Sequence, residues 1–328
     1  MTLLRAGLVG LGMMGRNHAR VLQQLDGVEF VGAADIAGDT SGAVGVHSVV
    51  DSVEELIDIG MDMCVVALPT EQHLDAGLKL AEAGIATLLE KPLSATTLEC
   101  EELVRAFKKT DTVGCVGHIE RFNPALVSLR ARLNEGALGE VFQVATRRQG
   151  PFPNRIRDVG VIKDLATHDL DLTAWLAGSM FDSISARTAH KTGREHEDLV
   201  AATGKLSNGV VTNHLVNWLS PMKERVTIVT GELGCFVADT LTADLTFCAN
   251  GSIATEWSAV AAFRGVTEGD VVRYAISKPE PLLTELTEFR KAAGGEDAEV
   301  VSLESGAEAV RVAEACIRSS QTGTTVEL

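Results

Sequence analysis

The chain lacks a surplus of positive charge, a paired cysteine motif and a long apolar run. Its 328 residues carry 29 Lys and Arg against 45 Asp and Glu, for a formal net charge of −16. Nucleic acids and anionic membranes would repel such a protein, so we expect neither as a partner. The six cysteines form no CxxC pair and lie in apolar segments, which predicts buried thiols in a reducing compartment.

The N-terminal residues also lack the features of an exported or membrane-spanning protein. Their apolar run is broken by Gly7, Gly10 and Gly12, whereas a signal peptide needs a longer apolar region. No run approaches the roughly 20 apolar residues of a membrane span. We therefore expect a cytoplasmic protein.

Length and pattern predict two domains. Single cores stop growing at roughly 250–300 residues, and the pattern of this 328-residue chain changes after about residue 120. We expect an N-terminal domain over residues 1–118 and a C-terminal domain over residues 119–328. The fold class is α/β.

The first domain alternates strands and helices, which indicates a doubly wound parallel sheet of the Rossmann type. Thr70 is predicted to cap one helix, and Thr96 with Glu99 to form a capping box for the next. Continuous apolar runs mark the strands buried on both faces. The predicted strands are 3–9, 28–34, 64–68, 86–89 and 112–117, and the predicted helices are 16–25, 71–83 and 96–109.

The second domain is rich in Val, Thr and alternating polar residues, which predicts hairpins of a large, open, mainly antiparallel sheet. Few helical segments follow residue 120, so we expect this part to be α+β. The strand segments are 140–149, 183–191, 199–218, 224–229 and 235–247.

A glycine-rich turn follows the first predicted strand. Gly10 allows a tight turn, Gly12 leaves room for a pyrophosphate beside the backbone, and Gly15 lets the helix lie close to the sheet. The helix N-terminus offers unpaired N–H groups and a positive dipole end to phosphates. The alternative is an ordinary strand–helix turn; the flanking strand, helix and acid favour a dinucleotide site.

That acid is Asp35, which ends the second predicted strand twenty residues after Gly15. Its carboxylate is placed to accept both ribose hydroxyl protons. It would repel a 2′-phosphate, and residues 36–41 contain no Arg or Lys to neutralise one. NAD is therefore favoured over NADP.

Glu90, Lys91 and Pro92 follow the strand 86–89, at the edge where a dinucleotide must lie. Pro92 disfavours the helical conformation at Lys91 and holds it extended at the strand tip. A solvated surface lysine is the alternative, and for an isolated motif it is the more common case.

Asp164 and His168 are spaced i, i+4 in the segment 163–172, so that they share a face, together with Asp171, if the segment is helical. A carboxylate one turn from an imidazole orients the ring and raises its basicity, which suits a general base. The alternative is a capping aspartate beside an unrelated surface histidine. Asp169 and Asp171 lie in the same stretch, so the partner of His168 stays open.

Other polar groups have weaker patterns. His118 and Glu120 form an HxE pair without a following PCxxC, so we expect no metal site. His73 is placed either to face the cofactor or to cover a helix surface. Four arginines are candidates for binding an anionic substrate, the alternative being a solvated loop paired with acids: Arg147, Arg148, Arg155 and Arg157.

Taken together, these motifs resemble the glucose-fructose oxidoreductase, inositol dehydrogenase and rhizopine-catabolism (Gfo/Idh/MocA) family over the whole chain. Each motif is modest alone, but their order is specific. They are Gly10–Gly15 with Asn17 and His18, Pro69–Thr70 with His73, Glu90–Pro92, Arg121–Pro124, Asp164 with His168 and Asp169, and the closing segment Gly323–Leu328.

The resemblance implies an NAD(P)-dependent dehydrogenase acting on CH–OH groups of a sugar, polyol or nucleotide sugar. Residues 150–162 are similar to a branch with nucleotide-sugar 3-dehydrogenases. The implied catalytic residues are Lys91, Asp164 and His168. The implied cofactor-binding residues are Gly10, Gly12, Met13, Met14, Gly15, Asp35, Pro69, Thr70, His73, Glu90 and Lys91. The implied substrate-binding residues are Lys91, Arg121, Asn123, Arg155, Asp164 and His168.

The family resemblance also implies a homodimer or homotetramer assembled through the C-terminal sheet, with a small sugar-type substrate as the other partner. Two alternatives remain at this point. One is a redox-neutral sugar enzyme, such as a glycosidase that regenerates its NAD. The other is a non-catalytic NAD-binding regulator of the same fold, which the presence of both Lys91 and His168 disfavours.

Overall fold

Two units make up the chain in the computed structural model, which describes residues 3–153, 159–251 and 267–328. The first unit comprises Met1–Phe122 and Pro279–Arg311, and the second comprises Asn123–Lys278 and Val312–Leu328. We expected one boundary, after residue 118. Residues 279–311 return to the first unit because Leu282, Leu286 and Phe289 are buried in a core of that unit.

A six-stranded parallel sheet forms the centre of the first unit. Its strand order is β3-β2-β1-β4-β5-β6, so the direction of winding reverses between β1 and β4. Ligands of such sheets bind at the carboxyl ends of the strands beside this reversal. The strands are β1 (Leu4–Val9), β2 (Val28–Ala34), β3 (Ser48–Val50), β4 (Met63–Val66), β5 (Ala86–Glu90) and β6 (Gly114–Gly117).

The helices of the described chain follow the predicted alternation. Among them none is long and apolar enough to cross a membrane. They are α1 (Met13–Leu22), α2 (Val53–Ile59), α3 (His73–Glu82), α4 (Thr97–Thr110), α5 (Pro124–Asn134), α6 (Thr167–Ala177), α7 (Pro281–Ala293) and α8 (Leu303–Thr322).

The first residues of α3 and α4 show whether the predicted helix caps form. The capping box at α4 is confirmed, because Thr96 Oγ1 accepts the Glu99 N–H at 3.3 Å and Glu99 Oε2 accepts the Thr96 N–H at 3.2 Å. The predicted cap at Thr70 is wrong. Thr70 begins a 3₁₀ turn, which has i→i+3 hydrogen bonds and is wound more tightly than an α-helix. The α-helix α3 therefore starts only at His73.

A nine-stranded sheet forms the second unit, in the order β14-β13-β12-β11-β7-β10-β9-β8-β15. Among the described strands of this second sheet, only the β7–β10 pair is parallel, which confirms the predicted, mainly antiparallel sheet. The strands are β7 (Val141–Pro151), β8 (Phe181–Ala189), β9 (Leu199–Leu206), β10 (Val211–Asn217), β11 (Leu219–Gly231), β12 (Gly234–Asp239), β13 (Asp244–Gly251), β14 (Thr267–Arg273) and β15 (Val326–Glu327).

The two faces of this sheet differ. Side chains at alternate positions, such as Val144 and Val216, are buried in a core shared with Leu126 of α5 and Leu170 of α6. The intervening positions lie on the opposite face. Hydrophobic burial against α5 and α6 therefore sets the register of the strands.

A buried ion pair joins β7 to α6. Arg148 Nε donates to both carboxylate oxygens of Asp169, at 3.2 and 3.1 Å, and the two side chains are only 4% and 3% exposed. An ion buried this deeply is tolerated only with its counter-ion. The pair therefore fixes the start of α6, which carries His168, against β7.

We expect Arg148→Met to lower the free energy of unfolding of the second unit by about 3–5 kcal/mol, because Asp169 would lose its buried counter-ion. Replacing both residues, as Arg148→Met with Asp169→Leu, should recover much of that loss. Urea unfolding followed by circular dichroism measures both.

The matched control is Arg147→Met, on the same strand. Arg147 is 53% exposed and pairs with Glu224 at 2.8 Å, so its loss should cost about 0–1 kcal/mol. Equal losses for the Arg147 and Arg148 variants would contradict the assigned importance of the buried pair.

Candidate active site

The glycine turn between β1 and α1 is built on close backbone contacts. A Cβ at Gly15 would lie 1.9 Å from the Gly10 carbonyl oxygen, and Gly10 has φ +94°. A Cβ at Gly12, in contrast, would meet no atom within 4 Å. Gly10 and Gly15 are thus required by the turn itself, whereas Gly12 borders open space that a ligand can occupy.

The N-terminus of α1 faces this turn. Its N-cap residue is Gly12, which has no side chain to satisfy the N–H groups of the first turn. Met13 and Met14 supply backbone N–H groups at this end of the helix dipole. Such an N-terminus suits phosphate oxygens, so these residues fit the dinucleotide assigned to them.

Asp35 is held rigidly at the end of β2. Its Oδ2 accepts the Leu11 N–H at 2.7 Å, and its Oδ1 accepts the Ala37 N–H at 2.8 Å. Each oxygen keeps a further acceptor site for a ribose hydroxyl. The next residue, Ile36, is 90% exposed and apolar. The local chemistry fits an unphosphorylated ribose, and hence NAD.

Glu90, at the tip of β5, is paired with a buried histidine. Its Oε1 lies 2.7 Å from Nε2 of His18, on α1, and its Oε2 accepts the Lys91 N–H at 3.2 Å. Burial opposes ionisation, but the hydrogen bond and charge of His18 and the charge of Lys91 hold the pKa of Glu90 below its ordinary value. A carboxylate is therefore fixed directly before Lys91.

A second acid lies in the same interior. Glu285 of α7 is 2% exposed, and neither of its carboxyl oxygens has a hydrogen-bond partner among the described residues. Burial, and then the charge of Glu90, raise the pKa of Glu285 well above its ordinary value. Burial and the charge of Glu90 thus both favour the neutral form of Glu285.

His73 holds the segment after Lys91 in place. Its Nδ1 lies 3.1 Å from the Pro92 carbonyl and 3.2 Å from the Leu93 carbonyl, and its Nε2 lies 3.0 Å from the Leu68 carbonyl. The residue is 1% exposed, so it does not cover a helix surface. The Lys91–Pro92 peptide bond is cis.

The remaining predicted residues of the first unit lie at the carboxyl ends of the strands or just beyond them. Pro69 and Thr70 follow β4, where Pro69 precedes the 3₁₀ turn Thr70–Gln72. Lys91 follows β5 and is half-buried. Arg121 lies in a second 3₁₀ turn, Ile119–Phe122, and is also half-buried.

Asp164 and His168 lie at the start of α6, in the second unit. The segment is helical, with a π-helical turn over Ile162–Ala166 that leads directly into α6 at Thr167. Asp164 is 7% exposed, and His168 is half-buried. π-Turns occur frequently at functional sites, where they redirect a side chain within a helix.

One carboxylate of this segment is bonded within the core. Asp169 is paired with Arg148 and is 2% exposed. Asp164 and Asp171 are buried as well.

Two of the residues predicted to bind substrate are not placed at a substrate site by the structure. Asn123 caps α5, where its Oδ1 accepts the Ala125 N–H at 3.1 Å and its Nδ2 donates to the Thr240 carbonyl at 3.0 Å. Both ends of its side-chain amide are thus hydrogen-bonded within the protein, and Asn123 is not among the proposed substrate contacts. Arg155 lies outside the described residues.

Sequence reasoning missed three features: the His18–Glu90 pair, the buried Glu285 and the Arg148–Asp169 pair. One signal was present for His18, because Gly15, His18, Ala19 and Leu22 form the buried stripe of α1. A histidine on such a stripe needs a buried partner. Nothing in the local sequence names Glu90, which is 72 residues away.

Comparison with known proteins divides the chain into the same N-terminal and C-terminal parts, except that the second match includes residues 279–311, which belong to the first unit. Residues 4–118 match the family model described as the NAD-binding Rossmann fold of the Gfo/Idh/MocA oxidoreductases. Residues 130–328 match the model of the C-terminal alpha/beta domain of the same family.

Individual relatives include the UDP-N-acetylglucosamine 3-dehydrogenase of Acidithiobacillus ferrooxidans, 31% identical over 214 residues, which are 64% of this chain and 66% of that protein. The scyllo-inositol 2-dehydrogenase (NAD(+)) of Bacillus subtilis is 29% identical over 192 residues, 56% of each chain. The matches thus span less than two thirds of the length of these curated relatives.

A solved structure of the Acidithiobacillus ferrooxidans enzyme is similar to the whole fold, with a TM-score of 0.84. Its identity is 22%, and the alignment covers 98% of this chain and 99% of that one. At this identity, the likeness shows a shared fold. Together, the two domain models and this fold establish that the chain belongs to the Gfo/Idh/MocA family of NAD-binding oxidoreductases.

Proposed function

We propose that the protein is an NAD-dependent dehydrogenase that oxidises a secondary hydroxyl of a sugar, polyol or nucleotide sugar. The observation that carries this proposal is Asp35, whose two oxygens are aligned by Leu11 and Ala37 beside the glycine turn. The names of the relatives support a hydroxyl-bearing ring as substrate, because they include an inositol and a UDP-N-acetylglucosamine dehydrogenase.

The proposed chemistry divides between three side chains. His168 accepts the proton of the substrate hydroxyl, and Asp164 orients its ring. Lys91 donates to the same oxygen and stabilises its developing negative charge. Glu90, bonded to His18, holds the backbone of Lys91 in position. Bound NAD supplies the hydride acceptor.

A redox-neutral sugar enzyme and a non-catalytic regulator are not favoured, because the relatives are named dehydrogenases. A stoichiometric NADH assay with candidate sugars separates the possibilities. Net NADH identifies a dehydrogenase, and turnover without NADH identifies a redox-neutral enzyme. No turnover, despite bound NAD, identifies a regulator.

We also propose that two or four copies assemble through the second unit's sheet. The face opposite α5 and α6 carries apolar neighbours across three strands: Ile228 of β11 lies beside Ala145 of β7 and Val237 of β12. On the same face, Val211 is 51% and Val271 is 68% exposed. Apolar surface of this kind favours an interface.

A cytoplasmic location is part of the same proposal. Its support is chemical: all six cysteines are free, and four of them are buried. Thiols persist in this form in a reducing compartment.

The wild-type protein should bind NAD more tightly than NADP, because Asp35 repels a 2′-phosphate. Asp35→Ser combined with Ile36→Arg should shift the ratio of the two Kd values toward NADP by roughly 10-fold or more. Fluorescence titration with both cofactors measures the ratio. Asp58→Ser, at an exposed acid of α2, is the control and should leave it unchanged. Tighter binding of NADP by the wild type would refute the assigned role of Asp35.

Lys91→Met and His168→Asn should each lower the rate of hydride transfer by roughly 10²–10⁴ while leaving NAD affinity nearly intact. Asp164→Asn should lower the rate of hydride transfer by a smaller factor if Asp164 only orients His168. The wild-type rate should fall at acid pH, because a protonated imidazole cannot accept the proton, and this decrease should vanish in His168→Asn. Single-turnover measurements test these expectations.

The control is Lys109→Met, at an exposed lysine of α4, which should leave the rate unchanged. Near-normal rates for the Lys91 and His168 variants would remove these residues from the mechanism.

The wild-type protein should sediment as a dimer or tetramer at micromolar concentration. Ile228→Asp should shift it toward the monomer, because a charge in the middle of the apolar face would be buried without a partner. Val46→Asp, at a residue of the first unit that is 99% exposed, should change nothing. A wild-type monomer would refute the proposed assembly.

A further inference from the structure

The loop between β8 and β9, residues 190–198, lies against the segment that leads into α6. This segment, residues 159–162, is called the entry segment below. Its last residue begins the π-helical turn that carries Asp164. The position of the entry segment therefore decides where the turn begins.

Three hydrogen bonds join the β8–β9 loop to the entry segment. The Arg194 guanidinium donates to the Val159 carbonyl at 2.8 Å. The Glu197 carbonyl accepts the Val161 N–H at 3.0 Å. Oε1 of Glu197 accepts the next N–H group, that of Ile162, also at 3.0 Å. Glu197 thus binds two successive N–H groups of a segment that lies 35 residues away in the chain.

The described residues next to the start of the π-helical turn give it no side-chain cap. Gly160 has no side chain, and the side chain of Val161 makes no capping hydrogen bond. The first N–H groups of a helical segment have no partner within the segment. Val161 and Ile162 are both buried, and a buried N–H group that loses its acceptor is costly. Glu197 therefore supplies, from another loop, an acceptor that these neighbours do not provide.

Gly160 leaves room for the Glu197 carboxylate. A Cβ at Gly160 would lie 2.1 Å from the carboxylate atoms of Glu197, so a larger residue would push the carboxylate away. The Gly160 carbonyl, in turn, accepts the Asp164 N–H at 3.1 Å. The contact of Glu197 with the entry segment thus continues into Asp164, the residue proposed to orient His168.

The β8–β9 loop is itself held in shape by Asp198. This residue is buried, and its carboxylate accepts the N–H groups of Lys191 and Thr192 at 2.7 and 2.9 Å and the Thr192 hydroxyl at 2.8 Å. A cavity of about 480 Å³ borders both the loop and the entry segment. On this side, hydrogen bonds from a well-anchored loop hold the turn more than close packing does.

We propose that Glu197 is a positioning residue, whose carboxylate holds the π-helical turn so that Asp164 and His168 keep the geometry that proton transfer requires. The inference rests on the proposed dehydrogenase function and adds to it a residue that does not touch the reacting atoms. Displacing a reacting group by about 1 Å can cost roughly 100-fold in rate, so a contact that fixes the start of the turn matters for catalysis.

The test uses variants that remove the carboxylate, keep its hydrogen bond or displace it. Glu197→Ala removes the acceptor, and Glu197→Gln keeps an amide oxygen in its place. Gly160→Ala adds the Cβ that would collide with the carboxylate, and the double variant, Gly160→Ala with Glu197→Ala, removes this collision. The matched control is Glu195→Ala, at an exposed acid of the same loop.

Two kinds of measurement are made on the full chain. Single-turnover hydride transfer is followed as a function of pH with the candidate sugars of the NADH assay, including scyllo-inositol and UDP-N-acetylglucosamine. Hydrogen exchange of the backbone amides of residues 161–164, measured by mass spectrometry, reports on the turn without any turnover. Urea unfolding identifies conditions in which the variants are folded. Gly160→Ala, which leaves Glu197 in place, provides the same test if Glu197→Ala does not fold.

Glu197→Ala should lower the rate of hydride transfer roughly 10- to 100-fold, and Glu197→Gln should keep most of the rate. Gly160→Ala should also be slow, and the double variant should be no slower than the slower single variant, because both changes act on one contact. The Kd for NAD should not change, because the residues assigned to NAD lie in the first unit.

The pH profile and the exchange rates should separate positioning from simple stability. In Glu197→Ala, but not in Glu197→Gln, the fall in rate at acid pH should move to lower pH, because a displaced Asp164 no longer raises the basicity of His168. The amides of residues 161–164 should exchange faster in Glu197→Ala than in the wild type. Glu195→Ala should match the wild type in every measurement.

An unchanged rate in Glu197→Ala overturns the inference and leaves the dehydrogenase function standing. A slower Glu197→Ala whose fall at acid pH stays where it lies in the wild type has lost a structural contact only, which also overturns the inference. If the wild type forms no NADH with any candidate sugar, the dehydrogenase function is refuted, and hydrogen exchange decides about Glu197. Faster exchange in Glu197→Ala but not in Glu195→Ala then supports a turn held by Glu197, and equal exchange in the two variants overturns it.

Discussion

The hydrogen bond between His18 and Glu90 joins the two parts of the first unit on which the proposed chemistry depends. His18 belongs to α1, whose N-terminus faces the glycine turn, and Glu90 ends β5 directly before Lys91. A displacement of α1 would therefore also displace the backbone of Lys91. Since both side chains are buried, removing either one would leave the other without its hydrogen-bond partner and without water to replace it.

The surroundings of this bond concentrate charge at one carboxylate. Burial and the charge of Glu90 raise the pKa of Glu285, whereas the hydrogen bond from His18 lowers the pKa of Glu90. A Cβ at Gly117 would lie 3.3 Å from the Glu90 carboxyl group, and the glycine leaves room for this arrangement. The second unit uses the same principle with Arg148 and Asp169, which fix α6 against β7. In each unit a buried polar pair, His18 with Glu90 and Arg148 with Asp169, holds the backbone next to a residue assigned to catalysis.

Much of the fold could be predicted because its signals are local. Continuous apolar runs predicted β4 and β5, and the capping box at Thr96 was confirmed. The predicted helix cap at Thr70 was wrong, because a 3₁₀ turn precedes α3 there, and the π-turn before α6, near Asp164, was not predicted. Such turns depend on how the helix packs on its sheet, and residue spacing does not reveal this.

The sequence by itself determined the cofactor class. Gly10, Gly12, Gly15 and Asp35 act through backbone geometry and one carboxylate, all within a single strand–helix–strand segment. The tertiary structure decided what long-range contacts create. Glu90 meets His18, 72 residues away, and Arg148 of β7 meets Asp169 of α6. These contacts join segments that are far apart in the chain, and burial in the folded protein decides which residues meet. Local residue patterns therefore do not predict them.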